Sequence, residues 1–324
     1  MIGTIISLLI LVALVALFAW LARRAWGAKR AWLKWPGVVL AGLFTLLLGL
    51  LTAVGAIGVY KLYAPRNVPV PAVTVQGTPP TSGQIARGQH LAEVLCVACH
   101  STNDELPLSG GDNLAAETGL PLGDIYGPNL TPAGELKDWS DGEVFRVIRT
   151  GVNKDGRATF MGGIGSRLLS DEDTQAIVAY LRASPSVQNE TPEFKPTLLL
   201  ALFTGAGLLN FEPPAATGPI AAPSKAVTFE YGKYVVDFVS CDGCHGPKLS
   251  GDAPPSAPPA PNLTVILPQW SKEDFFTAMR TGVTPSGEEM DPVAMPWKAM
   301  GKLDDVELEA LYLYLHGLTP VTGK

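Results

Sequence analysis

The chain is 324 residues long, 47% hydrophobic and only 17% charged, which is unusual for a water-soluble protein and leaves room for two globular units plus further segments. Its charge is unevenly spread: residues 1–66 hold seven basic residues and no acid, so the remainder carries 17 basic against 30 acidic residues. An acidic body of that kind excludes nucleic acid as a partner and either attracts a basic redox partner protein or simply aids solubility.

The first predicted elements are two apolar segments. Ile2 to Ala22 and Pro36 to Tyr60 are uncharged, and each is long enough to cross a hydrocarbon core of about 30 Å. Between them lie Arg23, Arg24, Lys29, Arg30 and Lys34, with Trp20, Trp26, Trp32 and Trp35 around them as interfacial anchors. The basic loop belongs on the cytoplasmic side, which puts everything after Tyr60 outside. A signal peptide cleaved near Ala53–Ala56 is the alternative, but Ile2–Ala22 lacks the basic leader such a peptide needs. The expectation is a transmembrane helix hairpin over residues 1–63. Residues 64–82, within a Pro-, Thr- and Gly-rich stretch, then form a semi-extended tether.

The four cysteines fall in two motifs, Cys96-Val-Ala-Cys99-His100 and Cys241-Asp-Gly-Cys244-His245. This is the pattern of covalent c-type haem attachment. Two thiols separated by two residues reach both vinyl groups at one haem edge, and the next histidine falls under the iron. A thioredoxin-like pair does not require the histidine, and a zinc site would have to join pairs about 145 residues apart. The expected cofactors are two haem c groups. Attachment of such haems takes place on the outer side of bacterial membranes, in agreement with the outward topology, so the expected location is the bacterial inner membrane with the haem units on the periplasmic side.

The chain after the hairpin repeats itself. Gly127-Pro128-Asn129-Leu130-Thr131 answers to Ala260-Pro261-Asn262-Leu263-Thr264, Trp139-Ser140 to Trp270-Ser271, Arg149-Thr150-Gly151-Val152 to Arg280-Thr281-Gly282-Val283, and Tyr180-Leu181 to Tyr314-Leu315. The shared order marks a duplication. Helical spacing appears before each haem motif (Leu91, Val94, Leu95; Tyr231, Tyr234, Val235, Phe238) and in each final helix (Ile177, Tyr180, Leu181; Leu308, Leu311, Tyr312, Leu315). Ser170 with Asp173 and Asp304 with Glu307 read as capping boxes. The units span 83–190 and 225–324, joined by a linker over 191–224. Within it Leu198 to Leu209 is apolar but too short to cross a bilayer, so it packs on a domain, the membrane surface or a partner protein. Ala253–Pro261, with five prolines, reads as a loop.

A low-spin haem iron in an electron carrier takes a sixth ligand, and methionine is the soft choice that raises its potential. Met161 is the candidate in the first unit. Met279, Met290, Met295 and Met300 compete in the second. Met295 lies 19 residues before Tyr314 as Met161 lies 19 before Tyr180. Met279 aligns with Ile148 and reads as core, and Met300 ranks after Met295. His90 and His316 read as exposed or helix-terminal. Arg149 and Arg280 are either neutralisers of haem carboxylates or exposed helix-end residues, and Trp139 and Trp270 either line the haem or fill core.

The haem motifs, the Gly127-Pro128-Asn129-Leu130 run and the Met295-Pro296-Trp297 loop resemble class I cytochrome c domains. The resemblance implies an all-α fold whose first and last helices cross over the haem. It also implies that the Pro128 and Pro261 carbonyls accept a hydrogen bond from His100 and His245, with Ala260 departing from the usual glycine. The tandem arrangement is similar to cytochrome subunits of membrane-bound dehydrogenases, which carry three haem domains. What this implies is one-electron transfer through two Met/His haems alongside other membrane complex subunits, in a respiratory, photosynthetic or dehydrogenase assembly. A dihaem peroxidase is the alternative; it would need one iron with an open position.

Overall fold

A computed structural model describes residues 2–73, 80–213, 218–251 and 260–321. Two long helices, α1 (Ile2–Trp26) and α2 (Ala31–Tyr63), pack against each other as a hairpin. Both are long and apolar enough to cross a membrane, with mean hydropathy of 2.9 and 2.4. Phe18 stacks on Phe44, Trp26 meets Trp35 edge-on, and the Lys34 ammonium lies over the Trp26 ring at the turn. At ~1.5 Å per residue, the 33 residues of α2 extend about 50 Å, well past a ~30 Å hydrocarbon core.

The last turns of α2 do not end in open solvent. After α2 the chain forms α3 (Ser82–Leu95), α4 (Asp141–Thr150), α5 (Asp171–Ala183) and then α6 (Leu198–Gly205). Helix α6 packs on α2 so closely that a Cβ at Gly58 would overlap the Ala201 carbonyl, and one at Gly205 the Val54 carbonyl. The apolar linker run therefore finds its partner in this chain's own hairpin. Leu62, Leu122, Ile125, Leu200 and Phe211 form a small core there. Just before α6, a two-residue strand β1 (Gly123–Asp124) pairs antiparallel with β2 (Lys195–Pro196), and the Thr4 hydroxyl donates to the Pro196 carbonyl.

The expected tether is also docked rather than free. Arg66 donates its amide to the Gly156 carbonyl at 2.7 Å and forms an ion pair with Glu212 at 3.0 Å. Arg146 donates to the Val68 carbonyl at 3.1 Å, and the Pro71 backbone lies against Gly142. Glycine at 142 permits that approach, and proline residues leave the segment few donors of its own to satisfy. The middle of this stretch, like most of the Ala253–Pro261 loop, lies outside the described residues.

The second unit repeats the first with α7 (Phe229–Val239), α8 (Lys272–Thr281) and α9 (Asp305–His316). In each unit the helix before the haem motif crosses the last helix at a glycine. A Cβ at Gly88 would overlap the Ala176 carbonyl, and one at Gly232 the Ala310 carbonyl. Both middle helices begin with a full capping box, Ser140 with Glu143 and Ser271 with Asp274, and end at a left-handed glycine, Gly151 and Gly282. The Asp304–Glu307 box is complete, whereas at α5 only Ser170 caps, and its own amide donates to the Tyr234 hydroxyl at 2.9 Å instead of to Asp173.

The Asn of each Pro-Asn-Leu-Thr run is a clamp. Asn129 Oδ1 accepts from the Thr131 amide and hydroxyl, while its Nδ2 donates to the Val187 and Asn189 carbonyls. Asn262 treats Thr264 and Val321 in the same way. Each clamp ties the chain leaving the last helix to the turn beside the haem motif. Gly127 lies so close to Cys99 that a Cβ would overlap its carbonyl oxygen.

The units share one hydrophobic core and meet through a polar cluster. Arg87 on α3 donates to Asp173 on α5 at 2.8 and 2.9 Å and to Glu307 on α9 at 2.5 Å. His90, placed by the sequence at a surface, instead faces Glu307 at 2.6 Å. Tyr234 donates to Asp173 at 2.7 Å, Tyr231 to Glu307 at 3.3 Å, and Lys225 approaches Glu307 to 3.4 Å. His90, Asp304 and Glu307 cluster as metal ligands would, but Arg87 and Lys225 already balance the carboxylates. Burial opposes ionisation of Glu307, yet its bonds to His90 and Arg87 prevail and hold its carboxyl well below 4.5.

Two outcomes follow from this packing. Arg87→Met strands two buried carboxylates and costs about 3–5 kcal/mol of stability in denaturant titration. Because the folded Glu307 pKa is depressed, its contribution is present above the ordinary value near 4.5 and is lost as pH falls from there toward the folded value. Wild-type stability measured from pH 7 to 3 therefore declines below about 4.5, and the variant shows less of that decline. Gly127→Ala overpacks the Cys99 turn and costs about 1–3 kcal/mol, while Ala260→Gly in the second unit stays within about 1 kcal/mol; thermal unfolding checks both.

Candidate functional site

Each haem motif sits on a helical turn, Val97–His100 after Cys96 and Cys241–His245. On such a turn residues three apart share a face, so Cys96 and Cys99 point together, as do Cys241 and Cys244. His100 and His245 are both buried. His100 Nδ1 lies 2.9 Å from the Pro128 carbonyl, and His245 Nδ1 lies 2.9 Å from the Pro261 carbonyl. A carbonyl only accepts, so the proton is on Nδ1 and the Nε2 lone pair is left for a metal. Burial lowers both imidazole pKa values, against the partial support of those carbonyls, and keeps the rings neutral. The substitution of Ala260 for glycine leaves the second bond as short as the first.

The leading thiol of each motif is unsuited to exchange chemistry. Burial pushes Cys96 up to about 12, with Cys99 adding to the rise. Cys241 also rises to about 12, through burial first and then Asp242. A redox-active pair needs a stabilised thiolate, and these sites provide the opposite.

In the first unit, Cys99, His100 and Met161 line one cavity of about 1400 Å³, together with Trp139 and Ile148. That exceeds the ~300–1000 Å³ of ordinary ligand sites. The lining is mainly apolar, with the histidine in its wall held in the ligating tautomer. The residues therefore fit a thioether-linked haem: two thiols on one edge, an oriented imidazole on one side and a methionine-bearing loop in the wall. In the second unit, Cys241 and Met295 are half-buried beside the common core, and Met279 and Met300 are buried within it.

The methionine loops differ in a way that their distance to the last helix conceals. Thr159 donates its amide to Gly151 at 2.8 Å, and Met290 donates its amide to Gly282 at 2.7 Å, so Met290 occupies the Thr159 position. Two residues later comes Met161, but Met295 follows Met290 by five. Three additional residues are taken up where the Met295 amide bonds the Asp291 carbonyl at 2.9 Å. The unequal spacings from Gly151 to Met161 and from Gly282 to Met295 carried that signal.

His316 is exposed, as read from the sequence. Of the two arginines, Arg280 is exposed at its helix end, one of the two expectations, whereas Arg149 is not. Arg149 is buried and pairs with Asp171 at 2.7 Å, and Arg280 pairs with Asp305 at 2.9 Å and donates to the Gly301 carbonyl. Each joins the middle helix to the first residue of the last helix. The arginine in the cavity wall is Arg157, which the repeat gave no reason to single out. Trp139 lines the cavity and Trp270 packs against the core, its carbonyl accepting from Tyr312 at 3.0 Å.

Comparison with known proteins agrees with this geometry. Residues 83–181 match the family model for cytochrome c oxidase, cbb3-type, subunit III, and residues 229–319 match that for cytochrome c. The chain is 28% identical to the gluconate 2-dehydrogenase cytochrome c subunit of Pantoea cypripedii, over 72% of this chain and 59% of that protein. It is 25% identical to the fructose dehydrogenase cytochrome subunit of Gluconobacter japonicus, over 76% and 56%. It is 26% identical to a nicotinate dehydrogenase subunit of Pseudomonas putida, over 88% of this chain and 25% of that protein. The chain thus spans from a quarter to about three-fifths of these relatives' lengths. Two matched domains, each with its own Cys-x-x-Cys-His site, make the chain a dihaem cytochrome c.

Proposed function

We propose that this chain is a one-electron carrier that links a membrane-side partner to a partner outside the membrane, as the cytochrome subunit of a larger oxidoreductase complex and not as the catalytic enzyme. The observation that carries the reading is the duplicated His–Pro bond, made at 2.9 Å in both units. A neutral, fixed imidazole on each side suits an iron that changes charge without moving its ligand.

When bound, each haem supplies a single-electron couple at its iron. The rest is the work of the protein. Cys96, Cys99, Cys241 and Cys244 hold the porphyrins, and His100 and His245 are the proximal ligands. Met161 and Met295 are the distal ligands, which raise the potential and leave no position open for peroxide. The comparisons give no support to a peroxidase. The units over 83–190 and 225–324 are held as one body by the buried cluster around Asp173 and Glu307. The loop that follows Met161 reaches the second unit: Gly165 lies against the Phe238 carbonyl and Ser240, next to Cys241. That contact favours passage between the haems within one chain.

The hairpin is the membrane anchor, with the haem units on the periplasmic face of a bacterial inner membrane. Two of the relatives above are cytochrome subunits of dehydrogenases, which favours a dehydrogenase as the complex, with other membrane subunits against α1 and α2. The acidic surface suits a basic redox partner.

Extraction in mild detergent yields a chain with two thioether-linked haems by pyridine haemochrome assay and co-purifying membrane subunits identified by mass spectrometry. Met161→Ala and Met295→Ala each lower one of two one-electron waves in a potentiometric titration by at least a factor of ten in equilibrium constant, about 59 mV. Unchanged waves in both variants would remove the methionines from the iron.

A further inference from the structure

The cavity around His100 is not closed by the first unit alone. Part of its wall comes from the hairpin: Ile2, Thr4 and Ser7 of α1, and Leu62 and Tyr63 of α2. One polar atom in that wall is out of balance. The Tyr63 hydroxyl is buried and has no hydrogen-bond partner. A phenol left so is destabilising unless a ligand supplies an acceptor.

A cation stands in the same wall. Arg157 lines the cavity, as do Glu135 and Glu193, and among the described residues its one ion pair is with Asp155, 3.9 Å away and largely exposed. The segments are tied together, since the Arg66 amide, three residues after Tyr63, donates to the carbonyl of Gly156, next to Arg157. A phenolic donor and a guanidinium converging on one cavity form a seat for a carboxylate. The haem that His100, Cys96 and Cys99 hold brings two carboxylates of its own. Arg149, the arginine that sequence alone would assign to them, is engaged with Asp171 instead.

We propose that Tyr63, at the end of the second hairpin helix, donates a hydrogen bond to a propionate carboxylate of the first haem, with Arg157 as its ion partner. The hairpin is then part of the first haem pocket and sets that haem's potential as well as anchoring the chain. The second haem has no such contact from the hairpin among the described residues. This rests on the dihaem reading above.

The propionate charge favours the oxidised, more positive haem. Withdrawing a donor from the carboxylate leaves more of that charge uncompensated, so the reduced form becomes less favourable. In the full-length chain in detergent, Tyr63→Phe lowers one of the two one-electron waves by threefold to tenfold in equilibrium constant, tenfold being about 59 mV. Arg157→Gln lowers the same wave, and the other wave stays in place in both variants. If the hydroxyl is merely an orphaned buried group, Tyr63→Phe instead raises thermal stability and moves neither wave, which overturns the proposal while two thioether-linked haems by haemochrome assay keep the dihaem reading intact. Equal displacement of both waves overturns it as well, since it points to a general structural change. Absence of thioether-linked haem defeats both readings together.

Discussion

Two carboxylates fix how this molecule is put together. Asp173 and Glu307 occupy the same place in the two repeats, at the third residue of the last helix. Each lies at the end of a helix that needs acceptors for its exposed amides, and each is shared with the other unit. Asp173 takes Arg87 from its own unit and Tyr234 from the second, while Glu307 takes Tyr231 from its own and both Arg87 and His90 from the first. Arg87 and Tyr231 are counterparts, as are His90 and Tyr234, so the cluster is an approximate two-fold arrangement with unlike side chains in its two halves. One half brings a guanidinium and an imidazole, the other two phenols. Two tyrosines in place of Arg87 and Tyr231 would leave the buried carboxylates without the guanidinium that both of them share. The shared core and this cluster join the two units.

Duplication also shows which features of the template are strict. The glycine where the first and last helices cross is present in both units, because backbone meets backbone there and no side chain fits. The Asn clamp, the Pro carbonyl and the capped middle helix recur with nearly the same distances. The residue before the Pro-Asn-Leu-Thr run does not recur. Gly127 faces the Cys99 carbonyl, whereas Ala260 is accommodated, and the His245 bond survives the change. What the site requires is the position of one carbonyl oxygen, and two local backbones reach it.

Much of this was legible from the sequence because it depends on short-range pattern. Cys-x-x-Cys-His is contiguous, the helices announce themselves by periodicity, and the repeat places equivalent residues by simple spacing. What escaped was set by contacts between segments far apart in sequence. His90 looked like a surface residue because nothing near it in sequence reveals Glu307, which is 217 positions away. Arg149 sits at a helix end where exposure is the ordinary fate, and only folding buries it beside Asp171. The proline-rich stretch after α2 has the composition of a free tether, yet Arg66 and Val68 are bound to the first unit. Composition reports what a segment lacks, not which surface supplies it.

The length of α2 ties these points to location. About 20 apolar residues cross a bilayer, and α2 has 33, so if it crosses one, several turns project beyond the hydrocarbon. Those turns carry Gly55, Gly58 and Leu62, the residues that meet α6 and the small core around Leu200. The projecting end is thus a post rather than a flexible leash. A leash would let the first unit sample a range of heights and orientations, with an entropic cost at each encounter with a membrane partner. The post removes that freedom in advance: α6 and the docked 65–73 segment hold the first unit against the helix, and the Asp173–Glu307 cluster carries the second unit at a fixed offset from the first. If α2 crosses a bilayer, the placement of both haem sites relative to it is set within one polypeptide, which is what transfer over a short, reproducible distance demands.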